Sequence, residues 1–168
     1  FGRDALNCGA EDLSRGSVGP ATEKYRTIGT GENLSVFDRL GTLPTLNFQQ
    51  STFDAVEAIS GETFSRSHHV KNAHCANCTI GCEHVMSTTD GTVKGRMEYE
   101  SAFALGSLVG VMDPNSVIKA SVFCDEMGMD TISAGGTIAW AMETAGAGLI
   151  DSDLRFGDSD MVLDTLEK

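Results

Sequence analysis

Positive charge is scarce in this chain. Twelve Lys and Arg stand against 24 Asp and Glu, for a formal net charge of -12. Phosphate backbones and anionic membrane surfaces are bound through clustered Lys and Arg, so neither nucleic acid nor a membrane is an expected partner. The acidity itself accords with simple solubility. No apolar run nears the length that crosses a bilayer, and no signal peptide is visible. Proline is also scarce, at three residues, and two of them mark boundaries. Pro44 keeps Leu43 out of helix, whereas Pro114 follows Asp113 as the first residue of one. Cysteine is present in an odd number, five, and three of the five fall within eight residues. That is poor material for a secreted disulfide framework; it fits a reducing, cytoplasmic setting and a metal or cluster site. The chain opens on Phe1 rather than Met and closes on DTLEK without a terminating signal. It is therefore expected to be an internal piece of a longer protein.

The hydrophobic share, 40%, is enough for a core. Residues 1–34 are rich in Gly, Ser, Thr and charge, show little periodicity, and read as a lead-in loop or linker, with Cys8 as an ordinary free thiol. Residues 35–168 read as a mostly α domain. One or two helical turns are expected over 33–40 and extended chain over 40–48. A short helix capped by Ser51 or Thr52 should bury Phe53, Val56 and Ile59 and stop at Gly61. After a polar approach over 62–74, Asp90-Gly91 marks the turn of a short hairpin within 84–95. Residues 98–112 carry Phe103, Leu105, Leu108, Val109 and Met112 over so wide a face that one buried helix is expected. Asp113 caps the next helix, which Gly128 ends; Asp130 caps another over 131–145, with Ile132, Ile138, Ala139, Trp140 and Met142 inside. Asp158 or Ser159 caps a last one through Leu166.

The chemistry is concentrated in CANCTIGC, residues 75–82. Soft thiolates on a turning, Gly-containing loop suit an iron–sulfur cluster, and Cys75, Cys78 and Cys82 supply three of the four ligands a cubane takes. Cys124, in an apolar helix, reads better as a small buried hydrophobe than as the fourth. The same three cysteines with His74 or His84 would make a Cys3His zinc site. Spacing alone leaves cluster, zinc and an empty loop all open. Asp130 is well placed as a helix cap, and Asp125 as a solvated carboxylate near a helix end. Glu100 would be costly to bury charged, and Glu98 is the expected solvent residue of the two.

Several stretches together resemble the aldehyde:ferredoxin oxidoreductase family: GTLPTLNFQQSTFDAVEAISGE (41–62), the CANCTIGC loop, EYESAFALGSLVG (98–110), CDEMGMDTISAGGTIAWAMETAG (124–146) and LRFGD (154–158). The resemblance covers roughly residues 27–168; residues 1–26 lack the basic, Gly-rich passage expected there. It implies a helical domain of that family's type, a [4Fe–4S] cluster on Cys75, Cys78 and Cys82, and a fourth cysteine in a second pterin motif beyond Lys168. It also implies a tungsten or molybdenum bis-pyranopterin contacted by Asp125 and Asp130, the two acidic positions of the first pterin motif. Met129 stands where the family usually has Leu. Glu100 falls at the position of a carboxylate near the metal and is the candidate for proton transfer. The implied activity is oxidation of aldehydes, or a related carbonyl, to carboxylic acids, with electrons passed to ferredoxin or a similar acceptor. A homo-oligomer or a separate electron-transfer subunit is a further implied partner. The family's β-rich first domain and its second motif have no counterpart here, so the 168 residues alone are not expected to be active. The rival readings are an electron-transfer subunit without substrate chemistry and a zinc-stabilised interaction module.

Overall fold

The computed structural model of the chain describes residue 16 and residues 18–168; Cys8 and much of the expected lead-in lie outside the described residues. Seven α-helices and one three-stranded antiparallel sheet are seen among them. Helix α1 (Pro20–Thr27) and α2 (Glu32–Arg39) precede a 3-10 turn (Val56–Ile59) and α3 (Gly61–Ser67). Strands β1 (His69–Ala73), β2 (Glu83–Ser87) and β3 (Lys94–Met97) follow. Then come α4 (Tyr99–Ala104), a second 3-10 turn (Ser107–Val109), α5 (Pro114–Met127), α6 (Thr131–Gly146) and α7 (Ser159–Leu166). The architecture is mostly α with a small hairpin sheet, as the sequence implies.

Helices α5 and α6 form the centre of the packing. Val117, Ile118, Ala120 and Cys124 of α5 and Ile138, Ala139 and Met142 of α6 join Leu105, Leu108 and Val109 in one continuous core. Both helices begin where local chemistry places them. The Asp113 carboxylate accepts from the Asn115 and Ser116 backbone N–H groups, and Asp130 from that of Ser133. Burial pushes the Asp113 carboxyl up, but the hydrogen bonds from Ser116 and Asn115 together outweigh it and leave the pKa lowered. A lowered native pKa means this stabilisation is fully present above the ordinary carboxylate range and is lost as pH falls through the native value. Asp113→Ala should cost about 1 kcal/mol at neutral pH. Thermal melts of the two proteins should draw together on acidification.

The structure departs from the sequence-based expectations at five places. Residues 20–27 are helical rather than loop, and the turns expected over 33–40 form a helix that begins at Glu32. Pro20 starts α1, and Arg26 ties its first turn down by donating to Thr22 Oγ1 (2.6 Å) and the Gly19 carbonyl (3.1 Å). Gly61 starts a helix instead of ending one, with Ser60 as its cap. A Cβ at Gly61 would lie 2.5 Å from the Gly31 carbonyl carbon, so the residue is Gly to let two backbones meet. The expected extended chain turns at Leu46–Asn47–Phe48, three left-handed residues held by bonds from Leu46 and Asn47 N–H to the carbonyls of Ser107 and Leu108 (both 3.0 Å). The expected single helix over 98–112 breaks at Gly106 into α4 and a 3-10 turn, which leaves Met112 exposed. Ile132 and Trp140, expected inside, face outward on α6; Trp140 is 58% exposed.

Candidate functional site

The cysteine loop is the connection of a hairpin. It joins the end of β1 to the start of β2, where Ala73 pairs with Glu83 and Asn72 with His84. β2 in turn pairs with β3, with Arg96 opposite Val85. The hairpin expected over 84–95 is present as β2 and β3, and β1 extends it on the other side. Its turn is fixed by Asp90, whose carboxylate accepts from Thr88 Oγ1 (2.6 Å), Thr92 Oγ1 (2.8 Å) and the Thr92 N–H (3.1 Å); these bonds bring its pKa to about 2.

Within the loop, Cys78 N–H donates to the Cys75 carbonyl (3.0 Å), closing a turn around the first two thiols. His74 Nδ1 lies 3.0 Å from the Cys78 carbonyl. Gly81 adopts φ +63°, and a Cβ there would strike the His74 ring at 2.5 Å. Asn72 anchors the base by donating to both the Gly81 carbonyl (3.0 Å) and the Arg26 carbonyl at the end of α1 (2.7 Å). Cys75 is exposed, Cys78 and Cys82 half-buried. Burial pushes the Cys82 thiol up, and the Glu98 carboxylate and the other two thiols push the same way. That setting disfavours a free thiolate at Cys82, and bound cationic iron would reverse it.

The two histidines that flank the cysteine loop sit in different settings. His74 spends Nδ1 on the loop backbone. His84 is 1% exposed, lies 4.9 Å from the His69 ring, and packs on Gly29, where a Cβ would sit 3.1 Å from its Cγ. Burial, then the nearby His69, lowers its pKa, against an opposing pull from the Arg26 and Tyr25 backbone. Among the described residues, no three His, Cys, Asp or Glu side chains converge so as to hold a single metal ion. A cubane does not ask for that. Its thiolates bind separate iron atoms at separate corners, whereas zinc needs four donors on one point. Three soft thiolates on one connecting loop suit a cluster face by their chemistry. Cys124 is fully buried in the core of α5, as a small hydrophobe would be.

The carboxylates expected to contact the pterin stand on either side of one tight turn. Helix α5 ends at Gly128 in the left-handed conformation, with Met129 N–H bonded to the Cys124 carbonyl (2.8 Å) and Gly128 N–H to that of Asp125 (3.2 Å). This closure is the Schellman arrangement. It places Asp125 at the end of α5 and Asp130 at the cap of α6, both exposed. Hydrogen bonds from Ser133 lower the Asp130 pKa, so it stays an anionic acceptor. A carboxylate has lone pairs for several donors, so capping leaves Asp130 able to accept from a ligand N–H as well.

The two glutamates exchange the roles expected of them. Glu98 is half-buried: Thr30 Oγ1 donates to its carboxylate and itself accepts from the Tyr99 N–H (2.9 Å). Burial raises the Glu98 pKa, and Glu100 and Glu83 add to the rise. Glu100 is the exposed one, on the first turn of α4. Its neighbour Ser101 reaches Thr131 Oγ1 (3.4 Å), beside Asp130. On the other side, Arg96 Nε lies 3.5 Å from Glu83, next to Cys82, and 3.8 Å from Asp125. Arg96 thus links Glu83, beside the cysteine loop, to Asp125, and Ser101 links α4 to the start of α6. Glu98, Thr30, Asn72 and Arg96 were not legible as site residues. The one signal for Arg96 is that the last turn of α5 holds carboxylates and no basic residue.

Comparison with known proteins gives the family. The family described as aldehyde ferredoxin oxidoreductase, domains 2 & 3, matches residues 12–168, which extends the likeness upstream of residue 27. The tungsten-containing aldehyde ferredoxin oxidoreductase of Thermococcus kodakarensis is 36% identical over 158 residues, covering 90% of this chain and 26% of that protein. The protein of that name from Pyrococcus abyssi is 38% identical over 163 residues, again 90% and 26%. An aliphatic sulfonate oxidoreductase, WOR-like subunit, of Pyrococcus furiosus is 26% identical over 145 residues, 80% of this chain and 23% of that protein. The chain thus spans about a quarter of the length of the relatives it matches. With the match running through the hairpin, the α5–α6 turn and nearly all the described residues, the chain belongs to the aldehyde ferredoxin oxidoreductase family.

Proposed function

We propose that this chain is the cluster- and pterin-contacting portion of a tungsten-containing oxidoreductase. The whole protein would convert an aldehyde and water to a carboxylic acid, two protons and two electrons, the electrons leaving to ferredoxin in the cytoplasm. Tungsten is favoured over molybdenum by the names of the relatives, and aldehyde over sulfonate by the higher identity of the aldehyde group. When bound, the metal–pterin group supplies the two-electron oxidation, and the cluster carries electrons outward.

The chain's own residues have distinct tasks. Cys75, Cys78 and Cys82 hold three corners of a [4Fe–4S] cluster on a hairpin connection braced by Asn72. Asp125 and Asp130 accept hydrogen bonds from pterin N–H groups and fix its orientation. Glu100, exposed on α4, takes up a proton released during oxidation. Glu98, half-buried against Thr30, holds a proton more readily than an ordinary carboxylate and stands next in line.

The observation that carries this reading is the joining of the cysteine loop to the Asp125 end of α5 through one short set of side chains. Paired acceptor carboxylates flanking one turn favour the pterin reading over an electron-transfer subunit. The protein, purified without oxygen, should contain iron, acid-labile sulfide, tungsten and an extractable pterin. Zinc with no pterin would overturn the proposal, and iron and sulfide without pterin would favour the electron-transfer subunit.

A further inference from the structure

We propose that Arg96 is a positioning residue: its guanidinium clamps the cysteine hairpin to the Asp125 end of α5 and sets the charge that the cluster feels. The inference rests on the reading of the cysteine trio as cluster ligands.

Strand β3 lies directly on α5. A Cβ at Gly95 would come within 2.3 Å of Val122 Cγ2, and Ser121 Oγ donates to the Arg96 carbonyl (3.3 Å). The backbone of residues 95–96 is therefore fixed against the helix before the Arg96 side chain does anything. From that fixed point Nε reaches Glu83 on β2 at 3.5 Å and Asp125 on α5 at 3.8 Å. Glu83 directly follows Cys82, and Asp125 begins the turn that carries both pterin-facing carboxylates. One cation thus sits between the two edges where cofactors would bind.

The last turn of α5 contains no basic residue of its own, so its C-terminal partial negative charge and Asp125 are answered from β3. Glu83, Glu98, Glu100 and Asp125 surround the same region, and Arg96 opposes the burial-driven rise at Glu98. Stability is not what this pair of contacts provides. Arg96 is 61% exposed, and exposed ion pairs contribute little to folding. Charge and distance are what it supplies. A positive charge beside a cluster favours the reduced form, which is the more negative one.

The test is a potentiometric titration of the anaerobically purified protein, following the reduced cluster by electron paramagnetic resonance. Arg96→Gln should lower the midpoint potential. Arg96→Lys keeps the charge and should hold most of the wild-type value. Lys94 lies on the same face of β3, two residues further from the cysteine loop, so Lys94→Gln should move the potential less. An Arg96→Gln potential equal to wild type, or shifted no more than that of Lys94→Gln, overturns the proposal. If Arg96→Gln loses its iron, Arg96→Lys decides: iron retained at near the wild-type potential supports the clamp, and iron lost there too overturns it. A wild-type protein lacking any cluster would instead sink the reading of the cysteine loop, a different result.

Discussion

Cys78→Ser should strip the protein of its cluster. Iron and acid-labile sulfide should fall from about four each per protein to below about one, with loss of the visible thiolate-to-iron absorption. Serine is a hard oxygen donor whose hydroxyl does not ionise near neutral pH, so it cannot replace a soft thiolate. Cys78 is the middle ligand of the trio, half-buried and bonded through its N–H to the Cys75 carbonyl. Its side chain makes no part of the core, so far-ultraviolet circular dichroism should hardly change. Cys124→Ala is the comparison. That thiol is sealed in α5, and its loss should leave iron content alone while lowering stability modestly. Iron lost from the Cys124 variant and kept in the Cys78 variant would refute the ligand assignment.

Gly135→Ala should be strongly destabilising. The new Cβ would sit 2.2 Å from the Ala104 carbonyl oxygen and 2.7 Å from its carbon. Those are backbone atoms of α4, which cannot swing aside. Alanine in a helix is worth up to about 1 kcal/mol over glycine, while overpacking of this kind costs about 3 kcal/mol, so the clash wins. A net loss of about 2 kcal/mol should appear as a lower denaturant midpoint. The neighbouring position gives the opposite sign. A Cβ at Gly136 meets nothing within 4 Å, so Gly136→Ala should gain roughly 0.5–1 kcal/mol by propensity alone. If both variants moved stability in the same direction, the close approach of α4 and α6 would be wrong. The contact bears on function, because α4 carries Glu100 and α6 begins at Asp130; forcing the helices apart should weaken pterin retention too.

Much of the fold was legible because its signals are local. Asp113-Pro114, Gly128, Asp130 and Asp158 each announce a helix end through chemistry within four residues, and each stands where expected. The misreadings came where distant chain decides. Gly61 looks like a stop until Gly31 is seen beneath it. The apolar run over 98–112 looks like one helix until Gly106 breaks it and the Gly106 carbonyl receives Val111 N–H at 2.9 Å. HVKNA has no strand-like alternation, and forms β1 as an exposed edge because β2 templates it. The same holds at the site. The cysteine spacing is visible in eight residues. Which of Glu98 and Glu100 is sheltered depends on Thr30, 68 residues away from Glu98.

The sulfur-bearing loop is a surface connection at one end of a small sheet, remote from the packed interior of α5 and α6. Assembly can then proceed in stages. The helical core of this chain draws on no residue of that loop, so it can pack before three of the cluster's ligands are engaged.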